Sequence, residues 1–432
     1  MDSALNSGDT AWVLASAALV LIMIPGLAFF YGGMLRSKTV LNMLMMVMGA
    51  LFIVGVLWVA YGYSVAFGGD PESSPLLGSF SEFAFLNGLM ADNPEASLPV
   101  MAFVAFQAMF ACITVGLIAG SVADRMKFSA WMVFSALWAT LVYFPVAHWV
   151  WASGGWIFQL GVIDFAGGTA VHINAGAAGL ALAIVLGRRL GWPKTPMKPS
   201  NLPLVMIGAG LLWFGWFGFN AGSALAANNT SAVVFVNTFV ATCAAAIAWL
   251  VVEKIRDGHA TSLGAASGVV AGLVAITPSC SAVSPVGAII IGVVAGVVCA
   301  LAISLKYKLK YDDSLDVVGV HLVGGIIGTL MIGLVATADA PAAVNGLFYG
   351  GGLDQLGKQA VGAFAVLFYS LIVAGILGLI IKATMGIRIT QDQEYGGIDL
   401  ALHAESAYEF GDTGAGSFAG VGAAAVRHSE EA

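Results

Sequence analysis

The chain has 432 residues, of which 59% are hydrophobic and only 9% charged, with a mean hydropathy of +0.92. Soluble domains carry about 25% charged residues, so this composition excludes a water-soluble globular protein and points to a surface that mostly faces lipid. The formal net charge of −7 says little about partners, because most acids fall in loops and the tail; Cys112, Cys243 and Cys299 lie in apolar runs and Cys280 at the end of one, which excludes both a disulfide framework and a metal-ligand spacing.

The N-terminal stretch MDSALNSGDTAW lacks the basic region that opens a signal peptide, so the first apolar run reads as a retained helix. Crossing hydrocarbon takes about 20 apolar residues as helix. Eleven segments qualify: 11–32, 42–67, 100–122, 128–150, 167–187, 203–222, 231–252, 262–278, 285–305, 317–338 and 360–385. The expected fold is therefore an all-α polytopic membrane protein of eleven transmembrane helices. Its 55 glycines suit helices that pack backbone to backbone in a membrane.

The basic residues orient these spans. Arg36 and Lys38 follow the first, Arg125 and Lys127 the third, and Arg188, Arg189, Lys194 and Lys198 the fifth. Lys254 and Arg256 follow the seventh, Lys306, Lys308 and Lys310 the ninth, and Lys382, Arg388 and Arg427 end the eleventh or lie beyond it. Of the seventeen Lys and Arg residues only Lys358 falls on the other side, where Asp70, Glu72, Glu82, Asp92, Glu95 and Asp164 lie. By the positive-inside rule the N-terminus is outside and the C-terminus cytoplasmic.

Spans one to five (about 10–190) and six to ten (about 200–338) read as two halves. An odd number of spans in each makes them an inverted repeat, with span 360–385 an unpaired addition on the outside and 386–432 a cytoplasmic tail. The tail is polar, acidic and glycine-punctuated to about residue 410 and low-complexity after it. The repeat has a local signature. Val171-His172 is followed by Gly176 and Gly179, and Val320-His321 by Gly325 and Gly328, so both read V-H-x3-G-x2-G. Each histidine ends up on the fifth span of its half, at similar depth.

An imidazole inside an apolar span is a functional candidate. The plainer reading, one interhelical hydrogen bond worth about 1 kcal/mol, does not account for the recurrence at matched positions. Haem ligation is weak with one histidine per helix, and a metal-transport site would want carboxylates at that depth, which the spans do not offer. A pore with two imidazoles and no fixed midplane charge suits small neutral or transiently deprotonated species, with the imidazoles as donors, acceptors and a proton path. Asp164 precedes His172 by eight residues, about 12 Å of helix, which puts a carboxylate near the outer surface.

Aromatic residues supply the mouth. Phe106 and Phe110 lie one turn apart on one face, Trp151 ends the fourth span on the outer side, and Trp216 and Phe219 lie toward the outer end of the sixth. Trp149 and Trp156 fit the interfacial belt. Aromatic faces bind ammonium-type cations through the ring quadrupole, so the order of features suggests cation capture followed by dehydration.

These residues resemble the ammonium transporter family (Amt/MEP/Rh), most of all its bacterial Amt branch. The resemblance runs from about residue 10 to 410 and rests on PGLAFFYGG at 25–33, AFQAMFACITVGLIAG at 105–120, DFAGGTAVHINAGAAGL at 164–180, GWFGFNAGS at 215–223 and DVVGVHLVGGIIG at 316–328. It implies that Phe110, Trp151 and Ser223 form an outer ammonium recruitment site. Phe110 and Phe219 would be the gate below, supported by Phe106, Trp216 and Gln107, with His172 and His321 as the twin histidines of the pore. Asp164 would shape the vestibule and Thr277 occupy another vestibule position. The resemblance further implies a homotrimer in a bacterial inner membrane, no cofactor and no enzymatic activity, and a cytoplasmic segment, 386–408, that meets PII-type nitrogen regulators. The last two dozen residues depart from the family's tail. An ammonium sensor signalling through that tail is the alternative; a redox enzyme using the histidines as ligands is a third reading. Nucleic acid is not an expected partner.

Overall fold

The computed structural model describes residues 5–91, 93, 96–195 and 197–408; Asp92, Glu95, the first four residues of the N-terminal stretch and the tail from 409, with Arg427, lie outside the described residues. Among the described residues the chain is helical, with no strand beyond an isolated bridge between Met126 and Arg388. In chain order the helices are α1 (Ser7–Met34), α2 (Val40–Phe67), α3 (Val100–Val122), α4 (Phe128–Gln159), α5 (Gly168–Leu186), α6 (Leu202–Gly222), α7 (Asn229–Asp257), α8 (Ser262–Ile276), α9 (Pro285–Leu309), α10 (Val318–Val335) and α11 (Asp354–Thr384). Two short helices, α12 (Gln391–Gly396) and α13 (Ile398–His403), follow.

Ten of these are long and apolar enough to cross a membrane; α8, where the sequence predicts the eighth span, has only 15 residues. The reason is local. Pro278 stands two residues past the end of α8, and proline cannot continue a helix. The chain then turns while still buried. Asn237 on α7 repairs the lost pairing, its Nδ2 donating to the carbonyls of Cys280 (2.9 Å) and Val283 (2.8 Å), as backbone at membrane depth requires.

Close approach between helices depends on glycine at a few places. Helix α1 crosses α6 where Gly26 and Gly208 meet: a Cβ on Gly208 would lie 2.3 Å from the Phe30 amide nitrogen. Helix α11 packs on α5 and α10 and leaves Phe368, Ile372, Ile376 and Leu379 exposed along one stripe, a face for lipid.

The basic ends of the helices are tied by buried ion pairs. Arg189 grips Asp312 through two nitrogens (Nη2 to Oδ1 2.7 Å, Nε to Oδ2 3.0 Å), while Asp124 lies 3.6 Å from Arg189 and 3.5 Å from Arg36. Burial alone would raise the Asp312 carboxyl; the Arg189 bonds and charge outweigh it and hold it below the usual carboxylate range.

Residues 386–408 dock on this same end. Ile389 N–H donates to Arg125 O (3.1 Å) and Lys127 N–H to Ile387 O (3.0 Å). Arg388 Nη1 donates to the Leu186 carbonyl that ends α5 (3.0 Å), and its Nη2 pairs with Glu394 (2.7 Å). The Asp399 carboxylate accepts N–H bonds from Leu41 (3.0 Å) and Asn42 (2.7 Å), capping the start of α2 from a distant part of the chain. If the family resemblance holds, Arg388→Ala, which removes the Glu394 pair and the α5 cap together, is expected to lower the initial rate of ammonium uptake several-fold. Deleting 409–432 is expected to leave that rate unchanged. Full uptake by the Arg388 variant would reduce the segment to a passive extension.

Candidate functional site

His172 and His321 each stand on a π-helical turn, Gly168–Ile173 in α5 and Val318–Leu322 in α10. Such a turn carries one extra residue, so its amides reach five residues back: His172 N–H donates to the Gly167 carbonyl at 3.1 Å. π-turns are rare and recur at functional positions.

The glycine four residues after each histidine lets the two turns meet. A Cβ on Gly176 would lie 2.6 Å from the Leu322 amide nitrogen, and one on Gly325 would lie 2.9 Å from the Gly168 carbonyl and 3.2 Å from the His172 Cβ. Each glycine thus receives the π-turn of the other helix. With the backbones this close, the imidazoles stack at 5.3 Å and 20°, and Nδ1 faces Nδ1 at 3.2 Å. That contact holds one proton, donated by one ring and accepted by the other. The donor ring then has a bare Nε2 and the acceptor ring a protonated one. A proton taken up at the bare Nε2, passed across the contact and released from the far Nε2 leaves both rings neutral with roles exchanged. His172 Nε2 is buried with no hydrogen-bond partner among the described residues.

Toward the end opposite the basic residues, two aromatic rings stack on each other above the histidines. Phe110 and Phe219 lie 4.1 Å apart at 17°, both buried. Phe106 meets Phe110 edge-on at 4.8 Å and Trp151 meets it at 5.9 Å and 88°. Ser223 Oγ donates to the Phe219 carbonyl at 2.8 Å. Trp151 and Ser223 are half-buried whereas Phe110 is buried, so accessibility falls from Trp151 and Ser223 to the Phe110 ring. Beneath the stack, Trp216 lies on His172 at 5.4 Å and 18°. The cavity there is lined by the two histidines, Trp216, Phe219 and aliphatic side chains such as Leu27, Ile113 and Leu212, with no charged group.

The remaining sequence candidates stand behind this lining. Thr277 Oγ1 accepts from Trp216 Nε1 (2.8 Å) and lies 3.2 Å from Asn220 Oδ1, whose amide donates to Thr238 (3.0 Å). This buried chain fixes the indole plane. Gln107 is buried beside Phe106 in sequence, its Oε1 unpartnered among the described residues. Phe106 and Gln107, expected to support the gate, and Thr277, expected at the vestibule, do not line the cavity.

Asp164 is also withdrawn from the lumen. Its Oδ1 accepts N–H bonds from Gly167 (3.0 Å) and Gly168; its Oδ2 accepts from Thr169 N–H (2.9 Å), the Thr169 hydroxyl and Ala170 N–H (3.1 Å). These are the amides that the start of a helix leaves unpaired, and a carboxylate there also meets the positive end of the helix dipole. Gly167, at φ +115°, closes the turn with no room for a side chain: a Cβ would lie 2.5 Å from Val171. The Asp164 carbonyl accepts Trp151 Nε1 at 2.9 Å. One residue thus holds both the mouth tryptophan and the turn carrying His172.

Asp313 escaped the sequence reading. It stands eight residues before His321, as Asp164 does before His172, and its Oδ2 accepts Val318 N–H at 2.7 Å, the equivalent of Thr169 N–H five residues on. The repeat is therefore D-x6-V-H-x3-G-x2-G, and the recurring spacing was the available signal. Burial and then the Asp316 carboxylate push the Asp313 carboxyl above its usual range, against the pull of Lys306. A second cavity runs from His321 toward the basic end, lined by Tyr31, Trp249, Glu253, Ser267 and Asp316 among others. The cavity above the histidines carries no charged group, and carboxylates enter only below them, where Asp316 pairs with Lys306 at 2.7 Å. No cluster of three or more potential metal ligands occurs among the described residues.

Residues 11–408 match the model of the Ammonium Transporter Family. An ammonium transporter of Mycobacterium tuberculosis is 59% identical over 435 aligned residues, covering 94% of this chain and 91% of the relative. The crystal structure of Saccharomyces cerevisiae Mep2 superposes with a TM-score of 0.83 at 34% identity, covering 90% of this chain and 91% of that one. A structure described as a sensor Amt protein superposes at 0.84 with 29% identity, covering 91% and 98%. With a family match over almost its whole length and a relative that is 59% identical over 94% of the chain, the chain belongs to the ammonium transporter family.

Proposed function

We propose that the protein captures NH4+ at the mouth, strips it of a proton and conducts NH3 through the histidine-lined lumen, with the proton relayed along the imidazole pair. The observation that carries this reading is the order of groups along one line: half-buried Trp151 and Ser223, the Phe110–Phe219 stack, then a chargeless cavity ending on paired histidines. Faces of Trp151 and Phe110 attract the cation, and Ser223 Oγ, which donates its own proton to Phe219 O, keeps lone pairs for an ammonium N–H. Beyond the stack an intact cation would meet no compensating charge, a heavy cost at membrane depth. NH4+ therefore divides into NH3, which the apolar cavity accepts, and H+, for which a buried bare imidazole nitrogen is the acceptor. Supported by the basic residues at one end of the helices, the chain lies with eleven spans in a bacterial inner membrane, N-terminus outside and C-terminus in the cytoplasm. Spans one to five and six to ten form an inverted repeat, as the paired D-x6-V-H-x3-G-x2-G turns suggest. The family reading adds a homotrimer and a PII-type regulator at residues 386–408.

The test is current across liposomes holding the purified protein, on adding NH4+, with K+ as control. An ammonium-specific current is expected, and Trp151→Leu is expected to reduce it about tenfold at low ammonium, since one aromatic face desolvated against a cation is worth up to about 2 kcal/mol, with thermal stability kept. Internal alkalinisation without current would mean that NH3 crosses alone and no proton is relayed. Saturable ammonium binding with neither signal would favour the second reading, an ammonium sensor acting through the tail, which the similarity to a protein described as a sensor Amt protein keeps in play.

A further inference from the structure

The segment between α4 and α5 carries Asp164, and more than its own turn holds it. On one side of Asp164, Phe165 N–H donates to the Pro278 carbonyl just beyond α8 (3.2 Å). On the other side, Ile163 is gripped by a side chain of α11, the helix that the sequence leaves outside the two halves. Gln359 Oε1 accepts Ile163 N–H at 2.7 Å, and Gln359 Nε2 donates to the Ile163 carbonyl at 2.7 Å. The side-chain amide thus pairs with both backbone groups of one residue, as a neighbouring antiparallel strand would. Only one orientation of the amide satisfies both contacts.

The rest of that amide is used as well. Its Nε2 also donates to the Thr329 carbonyl on α10 (3.2 Å), and its Oε1 also accepts from Gln355 Nε2 (2.9 Å), one turn earlier on α11. Gln355 donates in turn to the Gly161 carbonyl (3.1 Å). Gln359 is fully buried and makes both the donated and both the accepted bonds open to an amide. Glycine lets the backbones come this close. A Cβ on Gly362 would lie 2.8 Å from Val162 Cγ1, and one on Gly333 would lie 2.3 Å from Leu356 Cα. A tie between α10 and α11 alone would need only the Thr329 bond; a fully satisfied buried network fixes a unique geometry. The geometry fixed here is that of the peptide next to the Asp164 carbonyl, which accepts Trp151 Nε1 at 2.9 Å.

We propose that Gln359 is a positioning residue for ammonium capture: through Ile163 it sets where the Asp164 carbonyl, and with it the Trp151 ring, stand at the mouth. Helix α11 then works on the mouth as well as facing lipid. The Asp164 carboxylate keeps its own grip on the His172 turn, so loosening Ile163 acts on capture more than on conduction. This inference rests on the reading of Trp151 and Asp164 as mouth groups.

The test is the initial rate of ammonium uptake against ammonium concentration, with the full-length protein in liposomes. Gln359→Leu, which cannot bond Ile163, is expected to raise the half-saturating concentration about fivefold, the scale of one net hydrogen bond. Its maximal rate should stay within about twofold of the parent's, as when binding rather than the later step is impaired. Gln359→Glu separates position from packing and covers the case of a misfolded leucine variant. A neutral carboxyl keeps one acceptor and one donor for Ile163, so in acid external buffer its half-saturation should approach the parent's at the same pH. Tyr369→Phe, which removes another α11 bond, to the Leu141 carbonyl at 2.6 Å, should leave half-saturation unchanged. Three results overturn the inference while sparing the mouth: Gln359→Leu matching the parent although Trp151→Leu raises half-saturation, an equal rise in Tyr369→Phe, or Gln359→Glu as impaired in acid as Gln359→Leu. An unchanged half-saturation in Trp151→Leu would instead sink the mouth reading and this inference with it.

Discussion

Alanine at both His172 and His321 is expected to reduce ammonium-dependent current by about two orders of magnitude, the lower range of what positioned acid–base groups contribute. The two rings are the only groups in the chargeless cavity that face each other with exchangeable protons, Nδ1 to Nδ1 at 3.2 Å. Without them a proton has no acceptor below the Phe110–Phe219 stack, so NH4+ has no reason to divide there. The variant also enlarges the lumen where Trp216 stacks on His172, and water entering that space is expected to erode discrimination against K+. Because α5 and α10 meet through Gly176 and Gly325 rather than through the rings, the fold should survive. Recording NH4+ and K+ currents on the same liposomes decides the matter. Ammonium current of unchanged size and selectivity would remove the proton relay and leave the histidines as lining only.

Asp164→Ala is expected to abolish transport, below about 1% of the parent rate, and to destabilise the protein by about 3 kcal/mol, in the range for losing charged hydrogen bonds to buried donors. The carboxylate meets the amides of Gly167, Gly168, Thr169 and Ala170 together with the Thr169 hydroxyl. Removing it strands four buried amides and the Thr169 hydroxyl at the start of the turn that carries His172. It also frees the segment whose carbonyl holds Trp151, so the mouth and the relay fail together. Asp164→Asn tests the distinction between holding and attracting. An amide oxygen still accepts from one pair of amides, so partial transport is expected if the residue works by position; complete loss in Asn with an unchanged melting temperature would assign the negative charge itself a role. Thermal melting measured beside flux separates the two outcomes.

The Asp313 cap has the same geometry on a smaller scale, with Val318 N–H as its amide partner and Lys306 close by, Nζ 3.2 Å from the Asp313 carbonyl. The two caps are unequal in what they hold. Asp164 serves a turn next to the mouth and satisfies every donor there, whereas Asp313 serves the turn nearer the basic end and leaves one oxygen unpartnered among the described residues. That asymmetry agrees with the charge found below the histidines, where Glu253 and Asp316 line the second cavity.

Much of the architecture was legible in the chain itself because lipid imposes a simple rule. A backbone that cannot bond to water must be helical for about 20 residues at a time, so apolar run lengths marked all of α1 to α11, α3 at Val100–Val122 to the residue, although α4 runs on to Gln159 and α11 begins already at Asp354. Run length did not say what ends α8, since hydropathy does not register that Pro278 stops the helix and Asn237 binds the carbonyls beyond it. The histidines were visible for the same reason, as polar groups where polar groups are costly, and the repeated glycines after them could be counted. What the sequence by itself determined is therefore the helical class, the pairing of the two histidine motifs and the kinds of side chain available at the mouth. Only the tertiary structure decided which of those side chains face the lumen: Phe110 and Phe219 close on each other across α3 and α6, whereas Asp164 and Thr277 turn away to hold Trp151 and Trp216. Likewise it placed Glu253 and Asp316 in one cavity and folded Asp399 back onto the start of α2. The physical reason is that burial depends on composition along one helix, but facing depends on how neighbouring helices rotate and how near their glycines let them come.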